Sequence, residues 1–550
     1  MTWEETVEAK RESLLNAIPS EWILDKIPTP EEEPDAVKFL DSYLQEDENK
    51  ITHSTAIELL AKLSKGELSS LEVTTAFCHR TAILQQLTNC CSEIFFDKAF
   101  ARAKELDLFF QKNGKTVGPL HGLPISLKDQ FNLEGIDSAM GFVSLLNKPK
   151  TKSEESKLAI ILANAGAVFF VKTTTPTAMM AYATISNIYG PTVNCFNRKV
   201  SCGGSSGGEG CIVGARGALI GFGTDIGGSI RVPSAFQGIY GLKGSSNRLP
   251  YCKLTNSFAH QPVLSSVVGP MCQDLKDLKF ITKLIIDSKP WLLDPKVPPI
   301  DWRSVEFTEL EAESKPIFAV MKSNGFIEPH PPVQRAIEIV VDSLKKSGYE
   351  VIEWNPPFTS KEITKIATEI YGADGYQEVV ELSKESGEPI VKEVLSISGG
   401  DTSNLPKGCE NLHEHWDQAR KRYEMQQAID EYWWGTSKLT STGKPIDGLI
   451  APVWDSASFK TEDVVNYCGD YTAQFNVLDY TVCITPVLKV DKSIDVIVPK
   501  TSFLNKDDEL VYKDYDPELF DNCPVSVQVV APRYQEETAI ALSEVVSSVL

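Results

Sequence analysis

Three short segments hold residues whose types and spacing could do chemistry. The densest, "SCGGSSGGEG" at residues 201–210, packs five glycines and three serines into ten positions. A Walker phosphate loop needs a lysine followed by serine or threonine after its last glycine, and none follows here. A dinucleotide fingerprint needs G-x-G-x-x-G, and the glycines of the downstream "GFGTDIGG" are spaced differently. A nucleophile elbow fits by letter, because Gly203-x-Ser205-x-Gly207 and Gly204-x-Ser206-x-Gly208 both satisfy G-x-S-x-G. Its context does not fit: an elbow serine follows a buried apolar strand, whereas "NCFNRKVSC" is polar and basic. A flexible linker is disfavoured by the apolar, structured run "GCIVGARGALIGFGTDIGGSIRVPSAFQG" that follows.

That run contains the second segment. Ile226-Gly227-Gly228-Ser229 forms another serine-bearing glycine turn, one that exposes successive backbone amides. The third segment, "GPLHGLPISLKDQF", puts Lys128 in an apolar, strand-like stretch, where a lone lysine ordinarily snorkels to the surface.

The elements that must position these residues alternate between helix and strand. "SEESKLAIILANAGAVFFVK" predicts a helix N-capped by Ser153 and closed near Gly166, then a strand at 167–172. The pattern recurs where Val333, Ile337, Val340 and Leu344 form a helical stripe before a strand at 349–354. Further strands are predicted at 317–322 and 447–453, and residues 54–112 read as mainly helical. Recurrent αβ units imply an α/β layered fold with a largely buried sheet. Residues 1–54, with "IPTPEEEPD", read as an N-terminal arm, and 55–550 as a single domain with a helical insertion at about 390–440.

Composition narrows the classes. With 42% apolar and 23% charged residues in 550, the chain is globular. A formal net charge of −21 argues against nucleic acid or an anionic membrane as partner. Twelve cysteines without a C-x-x-C pair read as reduced thiols, and seven histidines without H-E-x-x-H give no metal site. There is no apolar run of membrane-spanning length and no secretory leader, so a cytoplasmic protein is expected.

Taken together, "GLPISLKD", "GGSSGGEG" and "GTDIGGSIRVPSAFQGIYGLK" resemble the amidase signature family of Ser-Ser-Lys hydrolases, in the family's order and with its 24-position separation between Ser205 and Ser229. The wording of "LHGLPISLKDQ" and "SAMGFVSLLNK" is most similar to the fungal acetamidase-type branch. The resemblance implies an amidase-signature fold, a large twisted mixed β-sheet covered by helices on both faces. It also implies hydrolysis of a carboxylic amide, acetamide-like or another small aliphatic or aromatic amide, to carboxylate and ammonia through an acyl-Ser229 intermediate. A fatty-acid or aryl amide hydrolase on the same triad is the alternative. Two remoter alternatives are an α/β-hydrolase esterase and a docking module that has lost its chemistry.

The roles implied run residue by residue. Ser229 is the nucleophile, Ser205 relays its proton, and Lys128 receives it, which requires the lysine pKa to fall well below its ordinary value of about 10.4. The backbone amides of Ile226, Gly227, Gly228 and Ser229 form the oxyanion hole, each worth roughly 3 to 4 kcal/mol. Ser205 and Met179 border the bound carbonyl, while Ser206, Thr224, Asp225 and Arg231 support the turn, the last two as an ion pair. No metal and no organic cofactor is implied, and a homodimer is implied by the resemblance alone. Two departures, Cys202 and Gly244 where the family usually carries proline, touch loop rigidity rather than any reactive group.

Overall fold

The computed structural model describes residues 2–550 except 260, 306, 308–314, 399–404 and 468. Thirteen strands occur among them: β1 (Cys91–Ile94), β2 (Pro124–Lys128), β3 (Val168–Thr173), β4 (Ile185–Ser186), β5 (Gly190–Pro191), β6 (Ile220–Asp225), β7 (Tyr240–Lys243), β8 (Val267–Cys272), β9 (Phe318–Val320), β10 (Val351–Glu353), β11 (Gly448–Pro452), β12 (Thr481–Lys489) and β13 (Pro524–Ala531). Eleven form one sheet in the order β1-β3-β2-β6-β8-β7-β12-β13-β11-β9-β10, and β4 and β5 pair as a separate ribbon. The sheet is mixed. β2 runs parallel to β3 and β6, whereas β6 with β8 and β12 with β13 are antiparallel.

Strands β2, β6, β8 and β13 are buried at every residue, so helices cover both faces of the sheet centre. The stripe Val333, Ile337, Val340 and Leu344 lies on the helix Pro331–Lys346; Ile337, Val340 and Leu344 are buried against β9, β11 and β13 in one apolar cluster, and Val333 is buried in a neighbouring one with Tyr515 and Phe520. The strands expected at 317–322, 349–354 and 447–453 are present but shorter.

One boundary differs. Ser153 does not cap the helix before β3; Thr151 and Glu154 close a capping box around a short 3-10 turn, and the helix begins only at Lys157. The reason lies in Ser156, whose hydroxyl accepts from the Asn132 N–H at 2.8 Å and donates to the Lys253 carbonyl at 2.9 Å, tying the chain to two loops just before the helix starts.

The first 54 residues form the helices Trp3–Asn16, Ala36–Tyr43 and Glu46–Thr52. Val7, Leu14, Ile18 and Leu40 are buried in the same apolar cluster as Val171 and Ile212. Arg198, buried beneath them, donates to the carbonyls of Pro28 and Glu33. The helix Leu412–Gly435 falls within the expected insertion, part of which lies outside the described residues. No helix among the described residues is long and apolar enough to cross a membrane.

Candidate active site

Lys128 is the last residue of β2, a strand buried on both faces, so its side chain cannot reach water. Its Nζ lies 2.8 Å from Ser205 Oγ and 2.8 Å from Thr224 Oγ1, and Thr224 Oγ1 donates in turn to Gln130 Oε1 at 2.6 Å. Burial lowers the Lys128 pKa to about 7 even though Asp225, Glu209 and Asp129 act to raise it. A lysine that is neutral near pH 7 can take a proton from a hydroxyl.

Ser205 follows a cis peptide bond from Gly204 and precedes the helix Gly207–Gly214. The turn needs glycine on its approach: Gly203 sits at φ +80°, and a Cβ there would come 3.0 Å from the backbone of Pro233. Ser206 anchors the turn to its neighbours. Its N–H donates to the Ser229 carbonyl at 3.1 Å, and its hydroxyl lies between the Thr224 N–H and carbonyl on β6.

Ser229 stands in the loop between β6 and the helix Arg231–Phe236. Asp225, at the end of β6, organises that loop by accepting from the N–H groups of Gly228 at 2.9 Å and Ile230 at 3.1 Å. Arg231 meets the same carboxylate through Nε at 3.0 Å and Nη2 at 2.9 Å, and Asn476 Nδ2 joins at 2.8 Å. Burial alone would raise the Asp225 pKa, but the Arg231 charge and these hydrogen bonds bring it to about 2. The pair is fully buried.

This geometry changes the oxyanion donor set read from sequence. Gly228 is not available, because its N–H is spent on Asp225. The N–H groups of Ile226, Gly227 and Ser229 donate to no acceptor among the described residues. Gly228 has another part: at φ +144°, with Thr472 Oγ1 only 2.6 Å from where a Cβ would be, it lets the loop turn against its neighbour.

Four residues outside the three motifs hold the loop from behind. Tyr371 donates to the Ile226 carbonyl at 2.7 Å, and Thr472 and Tyr182 donate to the Gly227 carbonyl at 2.6 and 3.3 Å. Arg231 reaches Thr472 O at 2.7 Å and also Asn476 Oδ1. Nothing local in the sequence marks Tyr371, Thr472 or Asn476. Gln130, two positions after Lys128 in the turn beyond β2, was not singled out either.

Two cavities meet at Ser229. One is a chamber of about 20 Å³ lined by Ser205, Ser229, Met179, Thr224, Asn256 and Ser266. The other is a cleft of about 220 Å³ bordered by Met179, Tyr182, Gly227, Ser229, Tyr371 and Tyr467. Both serines and Met179 therefore line the small chamber together. Cys202 and Gly244 lie outside it: the Cys202 thiol donates to the Thr192 carbonyl at 3.2 Å, and the Ser245 N–H beside Gly244 donates to Glu536. No cluster of histidine, cysteine or carboxylate among the described residues could hold a metal ion.

The Amidase family profile matches residues 72–540. The chain belongs to the amidase signature family. It is 41% identical to the Acetamidase of Emericella nidulans and 40% identical to that of Aspergillus oryzae, over 100% of this chain and 98% and 99% of the relatives. It is 36% identical to a Probable amidase of Saccharomyces cerevisiae, over 97% and 96%. Among solved structures, a fatty acid amide hydrolase superposes with a TM-score of 0.92 at 31% identity, covering 100% of this chain and 95% of that one. This amidase is a hydrolase of amide carbon–nitrogen bonds other than peptide bonds.

Proposed function

We propose that this amidase cleaves primary carboxylic amides to carboxylate and ammonia through an acyl intermediate on Ser229, with Ser205 and Lys128 as its proton relay. The observation that carries this reading is the buried Lys128 amine, 2.8 Å from Ser205 Oγ and with its pKa lowered to about 7 by burial, beside a cavity that Ser205 and Ser229 both line.

As Ser229 Oγ attacks the amide carbon, its proton passes to Ser205 while the proton of Ser205 passes to Lys128 Nζ. Negative charge then develops on the carbonyl oxygen. The N–H groups of Ile226, Gly227 and Ser229 are its donors, fixed in advance by Asp225, Thr472 and Tyr371. When the tetrahedral intermediate collapses, Lys128 returns the proton through Ser205 to the departing nitrogen, and the carbon–nitrogen bond breaks. Protonating the leaving group is what a poor leaving group such as ammonia requires. Water then adds to the acyl-Ser229 ester, gives its proton to the same relay, and the carboxylate leaves.

The small chamber favours ammonia as the leaving group. At about 20 Å³ it holds one water-sized molecule. A further cavity of about 280 Å³, which shares Ile226, Asn256, Phe258 and Ser266 with the chamber, supplies a route for water in and ammonia out.

Labelling with a fluorophosphonate followed by peptide mapping tests the assignment. The adduct is expected on Ser229; an adduct on Ser205 or Ser206 would overturn it in favour of an elbow nucleophile.

A further inference from the structure

The two cavities that meet at Ser229 differ in volume about elevenfold, and the larger is far bigger than the acyl group of acetamide. A dry cavity of about 150 Å³ suffices to enclose benzene. The cleft here is about 220 Å³, enough for a ring and the carbon joining it to the carbonyl.

Its walls suit a flat ring. Tyr182 and Tyr371 have spent their hydroxyls on the Gly227 and Ile226 carbonyls, so what they bring to the cleft is ring surface. Tyr182 is held in place by Trp454, with ring centroids 4.7 Å apart. Met179 and Met180 line the same space, and thioether sulfur packs favourably on aromatic edges. The polar groups of the cleft wall include Lys361, Thr364, Thr368 and Asp470, with Lys361 and Asp470 paired at 3.3 Å.

We infer that the acyl group of the preferred substrate is an arylalkanoyl group of phenylacetyl size, seated in the cleft bounded by Tyr182, Tyr371 and Tyr467, with ammonia leaving through the small chamber. The inference rests on the amidase reading above. The reaction balances as phenylacetamide plus water giving phenylacetate and ammonia, with no other reactant. Burying a ring that acetamide lacks adds binding energy that the transition state also feels.

The test compares kcat/KM for acetamide, hexanamide and phenylacetamide with the full-length enzyme, following ammonia release. Phenylacetamide is expected to exceed acetamide by at least about a hundredfold and to exceed hexanamide. Acetamide or hexanamide turned over as well as phenylacetamide would overturn the inference while leaving the amidase reading intact; no turnover of any of the three would overturn the reading beneath it. A second measurement uses Thr368→Trp, at an exposed helical position on the cleft where a large side chain does not disturb the core. The phenylacetamide-to-acetamide ratio of kcat/KM is expected to fall at least about tenfold in this variant. An unchanged ratio would overturn the placement of the ring.

Discussion

The two sides of Ser229 are built on different plans. On the relay side, Lys128, Ser205, Thr224 and Gln130 are buried, hydrogen-bonded to one another and carried by strands and turns within about a hundred residues of sequence. On the acyl side, the wall draws on three distant segments, represented by Met179 and Tyr182, by Thr364 and Tyr371, and by Tyr467 and Ala473, and its polar groups are less completely used: the Thr364 hydroxyl is buried without a partner. A proton relay works only if each heavy atom is within hydrogen-bond reach of the next, so its environment admits little variation. A pocket that reads an acyl group by shape needs only volume and apolar surface, and it can be rebuilt one side chain at a time.

The comparison can be broken most severely at the nucleophile. Ser229→Ala should lower kcat by at least about 10⁴-fold, measured with whichever amide is turned over fastest. Loss of the relay is the next largest effect. Lys128→Ala should cost about 10³-fold, and the wild-type kcat/KM should rise with pH through an apparent pKa near 7, because the lysine must be neutral to accept a proton. A pH profile flat from 6 to 9 would show that another group sets the protonation state.

Tyr371 belongs to both sides, since its ring borders the cleft and its hydroxyl holds the peptide whose N–H belongs to Gly227. Hydrogen bonding to a peptide carbonyl polarises the same peptide's N–H. Tyr371→Phe should therefore lower kcat about tenfold with little change in KM, and weaken a trifluoromethyl ketone inhibitor by the same factor. A change confined to KM would place the hydroxyl in acyl binding alone.

The smallest expected effect concerns stability. The folded pKa of Lys128, about 7, lies below its ordinary value of about 10.4. Its contribution is thus most favourable above the unfolded pKa and is lost as pH falls through 7. Lys128→Met removes that dependence. The Tm of wild type relative to Lys128→Met should rise between pH 7 and pH 10, whereas a constant difference would show that the lysine is not depressed in the fold.

The same contrast decides how much could be read from the chain. The segments holding Lys128, Ser205 and Ser229 stood out by their glycines and apolar neighbours, while the roles of the three residues came from the resemblance to the amidase signature family. The alternation of helix and strand predicted the layered sheet, although its buried strands β2 and β6 carry Lys128, Thr224 and Asp225. The fate of the Gly228 amide was not visible, because it depends on where the Asp225 carboxylate turns within a five-residue loop. Tyr371, Thr472 and Asn476 were invisible for a different reason: they reach the loop from 145, 245 and 251 residues away, a proximity created by the return of the chain through the sheet. The helix start at Lys157 was misplaced because Ser156 serves two tertiary partners, which no local capping rule can anticipate.

The contact between Arg231 and Thr472 spans 241 residues of chain. During synthesis, the nucleophile, the relay serine and the lysine all emerge from the ribosome long before the segment that locks the oxyanion loop. A nascent chain ending before residue 470 would hold every reactive side chain yet lack the clamp that makes them an enzyme. Hydrolytic competence thus reports that the chain has folded at least as far as Asn476.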